Sequence, residues 1–166
     1  MLLFVKKARG FSYVEMVFAV AMLALLAAVA TPYLEKSIQR KKESELKQNL
    51  RDIRTAIDAY KDAADAGKFF KRVGDTGYPY RLQDLVDGVE DITDVNKKKL
   101  RFLRQIPADP MYPIANQMDR TVNAADTWGK RSYASDTDSP REGEDVYDVY
   151  SNSTAIGNNG VAYAKW

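Results

Sequence analysis

The chain has 166 residues, with no cysteine and no histidine, a length that suits one modest domain plus an extension. Without cysteine it has neither a disulfide framework nor a thiolate metal site. Without histidine it lacks the commonest general base. The formal net charge is only +2, and the nearest basic cluster, at residues 97–104, is interpreted as a solvated helix face rather than a nucleic-acid surface. The composition therefore argues against an enzyme and against nucleic-acid binding.

The amino-terminal third opens with three basic residues followed by an apolar run. Lys6, Lys7 and Arg9 precede about 20 mostly apolar residues, 11–30, which are enough to cross a bilayer. The charge distribution predicts that the amino end stays cytoplasmic and that the rest is exported. A cleaved signal peptide, ending at the small residues 28–30, and a plain signal anchor are the two simpler interpretations.

Glu15 is the one charged residue inside that run. A carboxylate in a membrane helix costs about 2.5–3.5 kcal/mol at the centre and less near the interface, so such residues are functional by default. If the chain is cut after Gly10, Phe11 carries a free amino group. Glu15 of one subunit then pairs with the Phe11 amine of a neighbour, and the pairing drives assembly.

The segment Gly10–Glu15, followed by the apolar run, resembles the class III signal of type IV pilins and pseudopilins. The resemblance implies that a prepilin peptidase cuts after Gly10 and methylates Phe11 to N-methylphenylalanine. It implies that Glu15 is the assembly residue. Pro32 also fits the family, and because proline removes a helical hydrogen bond, it predicts a kink in the helix there.

From Pro32 to about residue 66 the sequence predicts an amphipathic continuation of the same helix. Apolar residues recur every three or four positions, and Gly67 is a reasonable stop. The stripe consists of Leu34, Ile38, Leu46, Leu50, Ile53, Ile57, Tyr60 and Ala64.

The remaining residues predict short elements separated by turn residues. Short helices are expected at 81–86 and 96–104, and strands at 131–134, 146–151 and 161–166. The predicted fold class is α+β and pilin-like, with a long amino-terminal helix, membrane-spanning in its first half and amphipathic in its second, packed on a small antiparallel sheet. The expected divisions are a leader at 1–10, a transmembrane and assembly helix at 11–31, its amphipathic continuation at 32–66 and a periplasmic globular domain at 67–166.

A second resemblance narrows the family. Four segments are similar to the major pseudopilins of type II secretion, the general secretion pathway protein G family. They are Leu103–Pro110, Trp128-Gly129, residues 145–151 and the terminal Lys165-Trp166. The absence of cysteine agrees with that resemblance, since many type IV pilins close their carboxyl-terminal loop with a disulfide.

This resemblance implies a structural subunit, held in the bacterial inner membrane by a single span, whose filament helps drive protein export across the outer membrane. The implied partners are the chain itself in a helical homopolymer, minor pseudopilins, the inner-membrane assembly platform with its ATPase, the prepilin peptidase and membrane lipid. Two alternatives stay open. One is a type IV pilin of a surface fibre used for adhesion, motility or DNA uptake, and the other is a membrane-tethered binding module that does not polymerise.

Calcium is the one cofactor that the resemblance raises. Major pseudopilins typically hold calcium in the loop after the strand at 146–151, but the corresponding residues 152–160 contain no carboxylate here. Calcium usually needs several carboxylates. The preceding acidic cluster offers an alternative ligand set: Asp136, Asp138, Asp145 and Asp148.

Overall fold

A computed structural model describes residues 10–113 and 122–166. Its chain divides into two compact units, one up to Arg40 and the other Lys41–Trp166. Apart from Gly10, the leader predicted at residues 1–10 lies outside the described residues.

The long helix α1 covers Tyr13–Asp65, as the sequence predicts for most of its length. Gly67 follows its end with a φ of 68°, the left-handed conformation in which glycine commonly stops a helix. In the amino-terminal unit none of the described residues is buried. Leu34 and Ile38 were predicted to share the buried stripe, but 61% and 58% of their surfaces are exposed.

The core of the second unit forms along the stripe of α1 that begins with Leu46. Fully buried side chains recur at Leu46, Ile53 and Ile57, and each burial stabilises the fold by about 1.5–3 kcal/mol. Trp128 and Val149 complete the same hydrophobic cluster from the far end of the chain. The predicted packing of the amphipathic helix on a small domain is confirmed from Leu46 onward.

A short helix and a two-stranded sheet follow α1. Helix α2 is Asp84–Asp87, which overlaps the end of the predicted helix at 81–86. Strands β1, Val89–Glu90, and β2, Lys99–Leu100, pair antiparallel. The helix predicted at 96–104 is therefore wrong. Lys97 turns the chain with a φ of 50°, and the amide of Asp91 donates to the Lys98 carbonyl at 3.1 Å, which favours a hairpin over a helix.

A second antiparallel pair carries the rest of the core. Strand β3 is Trp128–Arg131 and β4 is Asp148–Ser151, with Trp128 opposite Ser151. The strand predicted at 131–134 starts three residues too late. The strand predicted at 161–166 is wrong as well, because Tyr163–Lys165 forms a 3-10 helix. The α+β class is confirmed, although two small sheets replace the single predicted one.

Candidate functional site

The residues assigned to processing and assembly lie at the start of α1. Gly10 precedes the helix, and the Phe11 side chain is 86% exposed. Glu15 is exposed in the first helical turn, where the helix dipole stabilises a carboxylate by about 0.3–1 kcal/mol. Cleavage after Gly10 and pairing of Glu15 with the Phe11 amine of a neighbour stay predictions.

The apolar side chains that follow are exposed on every face of α1. Val14, Phe18, Leu25 and Val29 all show more than half of their surfaces, and the helix is long and apolar enough to cross a bilayer. A helix that is apolar all round needs lipid or other helices around it. Its surface suits a single-pass membrane anchor.

Pro32 lies inside α1 without ending it. Proline has no amide hydrogen for the carbonyl four residues earlier. In the preceding position, the Thr31 hydroxyl donates to the Ala27 carbonyl at 2.9 Å, a contact that often bends helices. The predicted kink at Pro32 stays a prediction, and its local chemistry favours one.

A buried carboxylate that sequence reasoning missed holds the carboxyl-terminal loop. Glu43 lies on the buried face of α1, and its Oε1 accepts three hydrogen bonds. They come from the Asn158 amide at 2.8 Å, the Asn158 side-chain Nδ2 at 2.8 Å and the Tyr163 hydroxyl at 2.9 Å. We call this arrangement the Glu43 latch. It ties the helix to the loop without a disulfide, and its sequence signal is a charge three residues before Leu46, on the apolar stripe.

Arg54 makes a second connection between α1 and the end of the chain. Its Nε donates to Asp148 Oδ1 at 2.7 Å. Its Nη2 donates to the main-chain oxygens of Val149 at 3.1 Å and Trp166 at 2.9 Å. The Arg131 guanidinium approaches the other Asp148 oxygen at 3.2 Å. Two cations thus neutralise Asp148, and β4 is fixed to the helix.

The pseudopilin-like segment 103–110 is anchored through its proline and aspartate. The Pro107 carbonyl accepts from Trp128 Nε1 at 2.7 Å. The buried Asp109 accepts from the Ser151 hydroxyl at 2.6 Å and from the Met111 amide at 2.8 Å. Burial raises the pKa of Asp109, and these hydrogen bonds only partly oppose the rise. The segment therefore joins β3 and β4 to the rest of the core.

Asp145 is buried and fully engaged by polar neighbours. Its Oδ1 accepts from the Ser132 hydroxyl at 2.6 Å and the Tyr133 amide at 2.9 Å, and its Oδ2 accepts from the Thr76 hydroxyl at 2.5 Å. Burial alone would raise the pKa of Asp145. The hydrogen bonds outweigh that effect, and the pKa lies below its ordinary value.

The four aspartates predicted to bind calcium are Asp136, Asp138, Asp145 and Asp148, and the structure shows hydrogen bonds or ion pairs at three of their carboxylates. Asp145 and Asp148 have their oxygens engaged by the donors just described, and Asp136 Oδ1 accepts from the Asp138 amide at 3.4 Å. Across residues 10–113 and 122–166, no three acidic side chains are grouped as a metal ion requires. The geometry does not favour calcium, which stays an untested prediction.

Two curated proteins resemble this chain. It is 30% identical over 127 residues to the type IV major fimbrial protein FimA of Dichelobacter nodosus, covering 76% of this chain and 74% of that protein. It is 37% identical over 81 residues to the type IV major pilin protein PilA of Myxococcus xanthus, covering 45% of this chain and 36% of that protein. No protein-family model matches the chain, and no solved structure matches it.

Proposed function

Because this chain belongs to the type IV pilin family, we propose that it is a structural subunit of a filament, and specifically of a type II secretion pseudopilus. Residues 11–31 span the bacterial inner membrane, and residues 32–66 and the domain at 67–166 lie in the periplasm. The filament that the chain forms helps to drive folded proteins across the outer membrane.

The observation that carries the filament proposal is the amino-terminal end of α1. Glu15 is exposed in the first helical turn, at the head of an apolar surface that has no buried residue. A carboxylate at that position is costly in lipid unless a cation neutralises it. The amine of Phe11, released when the prepilin peptidase cuts after Gly10, supplies that cation from a neighbouring subunit.

The choice of a pseudopilus is supported by the segment 103–110 and by the way the carboxyl-terminal loop is closed. Pro107 and Asp109 within that segment make the contacts that join β3 and β4 to the core. The loop at 152–160 is held by Glu43 rather than by a disulfide. In this proposal the partners are minor pseudopilins, the assembly platform and its ATPase.

The second candidate function is a surface type IV pilin. The two relatives are named as a major fimbrial protein and a major pilin, and the amino-terminal signal serves both filaments. A pseudopilus and a surface pilus differ in reach, since the former acts across the periplasm and the latter extends from the cell.

Electron microscopy of the producing cells separates these functions. A pseudopilus predicts short filaments, and loss of a secreted protein from the medium when the chain is deleted. Long surface fibres with normal secretion would favour the surface pilin. A strictly monomeric chain in the membrane would contradict both. The matched variant Glu15→Leu tests assembly itself: mass spectrometry should find it cleaved after Gly10, yet sheared fractions should contain no filaments.

A further inference from the structure

The basic cluster at residues 97–104 has a shape that its sequence does not reveal. Lys99, Arg101 and Arg104 line one open concavity of about 660 Å³, together with Val86 and Asp87 at the end of α2. All three cations are exposed. With three positive charges against one negative, the concavity carries a local excess of two positive charges.

The backbone of this concavity is fixed by hydrogen bonds and by close packing. The Leu85 carbonyl accepts from the amides of Phe102 and Leu103, both at 3.0 Å. Gly88 lies so close to β2 that an added Cβ would come within 2.4 Å of the Leu100 carbonyl oxygen. The cationic side chains therefore project from a backbone that is already organised.

No ion pair joins these three cations to a carboxylate of the part of the chain that the structure describes. Ion pairs elsewhere join Lys61 to Asp65 and Arg81 to Asp84. Within residues 10–113 and 122–166, none pairs Lys99, Arg101 or Arg104 with a carboxylate. Although Glu90 lies opposite Lys99 in the β1–β2 register, the two side chains do not form an ion pair. The concavity is a charged surface still open to an acidic group.

A surface of opposite charge lies on the loop between β3 and β4. The amide of Ser132 donates to the Arg141 carbonyl at 3.0 Å, and the Arg141 amide donates to the Ser135 hydroxyl at 2.8 Å. The loop closed in this way exposes four carboxylates, which we call the acidic loop: Asp136, Asp138, Glu142 and Glu144. Arg141 is the one cation within this loop, and Lys130 of β3 approaches Glu142 Oε1 at 3.8 Å, which leaves a local excess of two negative charges.

We propose that the cationic concavity of one subunit receives the acidic loop of a neighbouring copy. The inference rests on the proposed filament function. A filament grows through heterologous contacts, in which two different surfaces of the same chain meet, whereas a self-complementary patch closes into a dimer. Two separate surfaces of opposite charge meet that requirement, and electrostatic complementarity of this kind fixes register more than it adds affinity.

Charge reversal in the full chain tests the pairing. We expect Arg101→Glu with Arg104→Glu, or Asp136→Lys with Asp138→Lys, to lower filament yield about tenfold, because two exposed ion pairs are replaced by repulsions. Combining the four changes should restore the yield. The matched control Lys68→Glu reverses an exposed cation outside the concavity and should assemble normally. Immunoblots and protease resistance of membranes should show equal amounts of folded subunit for every variant.

A disulfide trap gives a second readout. Since the chain has no cysteine, Arg104→Cys with Asp138→Cys should give a ladder of cross-linked subunits in oxidised filaments. Neither single variant should give a ladder. Reversal variants that assemble like the unaltered chain, or a combined variant that does not recover, would overturn the pairing. If Arg101→Glu with Arg104→Glu assembles normally but its filaments no longer bind a DNA oligonucleotide, the concavity binds nucleic acid instead. Absence of filaments from the unaltered chain is a different result, which contradicts the proposed function itself.

Discussion

Replacing Glu43 with alanine tests whether the latch holds the carboxyl-terminal loop. The change removes an acceptor that serves the Asn158 amide, the Asn158 side chain and the Tyr163 hydroxyl. Asn158 is exposed and regains water, but Tyr163 is buried. Hydrogen bonds to a charged group contribute about 1.5–3 kcal/mol each, and a stranded buried donor costs about 1–3 kcal/mol. Because Asn158 recovers its bonds from water, we expect a total loss of about 2–4 kcal/mol.

Urea unfolding of a fragment covering residues 41–166 measures this loss. The fragment contains the buried core and Trp128, whose burial makes its fluorescence a reporter of folding. Glu45→Ala is the matched control, since Glu45 is exposed on the same helix, and it should change the free energy of unfolding by less than about 0.5 kcal/mol. Glu43→Gln retains one acceptor oxygen and should fall between the two. Equal stability of the Glu43→Ala and Glu45→Ala fragments would refute the latch.

Three further predictions concern the same domain. Arg54→Met removes the contacts to Asp148, Val149 and Trp166 and should destabilise the fragment by about 1–2 kcal/mol. The control Arg51→Met changes an exposed residue of the same helix and should not destabilise it. Equal melting temperatures of the two variants would show that Arg54 does not fix β4 to the helix. Folding lowers the pKa of Asp145 below its ordinary value of 3.8. Its carboxylate therefore stabilises the fold at pH values above 3.8, and this stability is lost as the pH falls through the lowered pKa. Asp145→Asn should therefore melt lower at neutral pH and lose less stability below about pH 4, whereas an unchanged acid dependence would contradict the linkage. Adding calcium should give neither heat in calorimetry nor a shift in melting temperature, because Asp145 and Asp148 already accept hydrogen bonds from other side chains. A saturable melting shift that Asp148→Asn abolishes would contradict this expectation.

The sequence predicts the elements whose chemistry is local. The spacing of Leu46, Leu50, Ile53 and Ile57 is enough to define the buried face of α1, because a helix places such residues on one side. The extent of the apolar run likewise defines a helix able to cross a membrane. Leu34 and Ile38 share that spacing without being buried, since periodicity identifies a face but not what covers it.

The errors lie where distant residues decide the local structure. Residues 161–166 have the composition of a strand, but the Tyr163 hydroxyl bonds to Glu43, 120 residues earlier in the chain. Ser132 and Tyr133 donate to the Asp145 side chain rather than continuing the ladder of β3. Lys97 adopts a left-handed conformation in a run of helix-favouring residues. None of these contacts can be predicted from local spacing.

The processing and assembly residues, in contrast, are recognised from the sequence alone. Gly10, Phe11 and Glu15 are recognised from a motif of six residues, and the structure adds only that they are exposed at the start of α1. Their chemistry depends on a neighbouring subunit. The hydrogen-bond partners of Glu43 and the shape of the cationic concavity, however, depend on contacts between distant residues and appear only in the folded chain.

Electron cryo-microscopy of filaments sheared from cells that produce this chain tests directly whether subunits assemble through Glu15 and the Phe11 amine. We expect a helical polymer of this subunit alone along its length, with α1 in the filament core. In each copy Glu15 should lie within ion-pair distance, about 4 Å, of the Phe11 amine of a neighbour. Filaments in which these two groups are far apart, or preparations in which the chain stays monomeric in the membrane, would contradict this expectation.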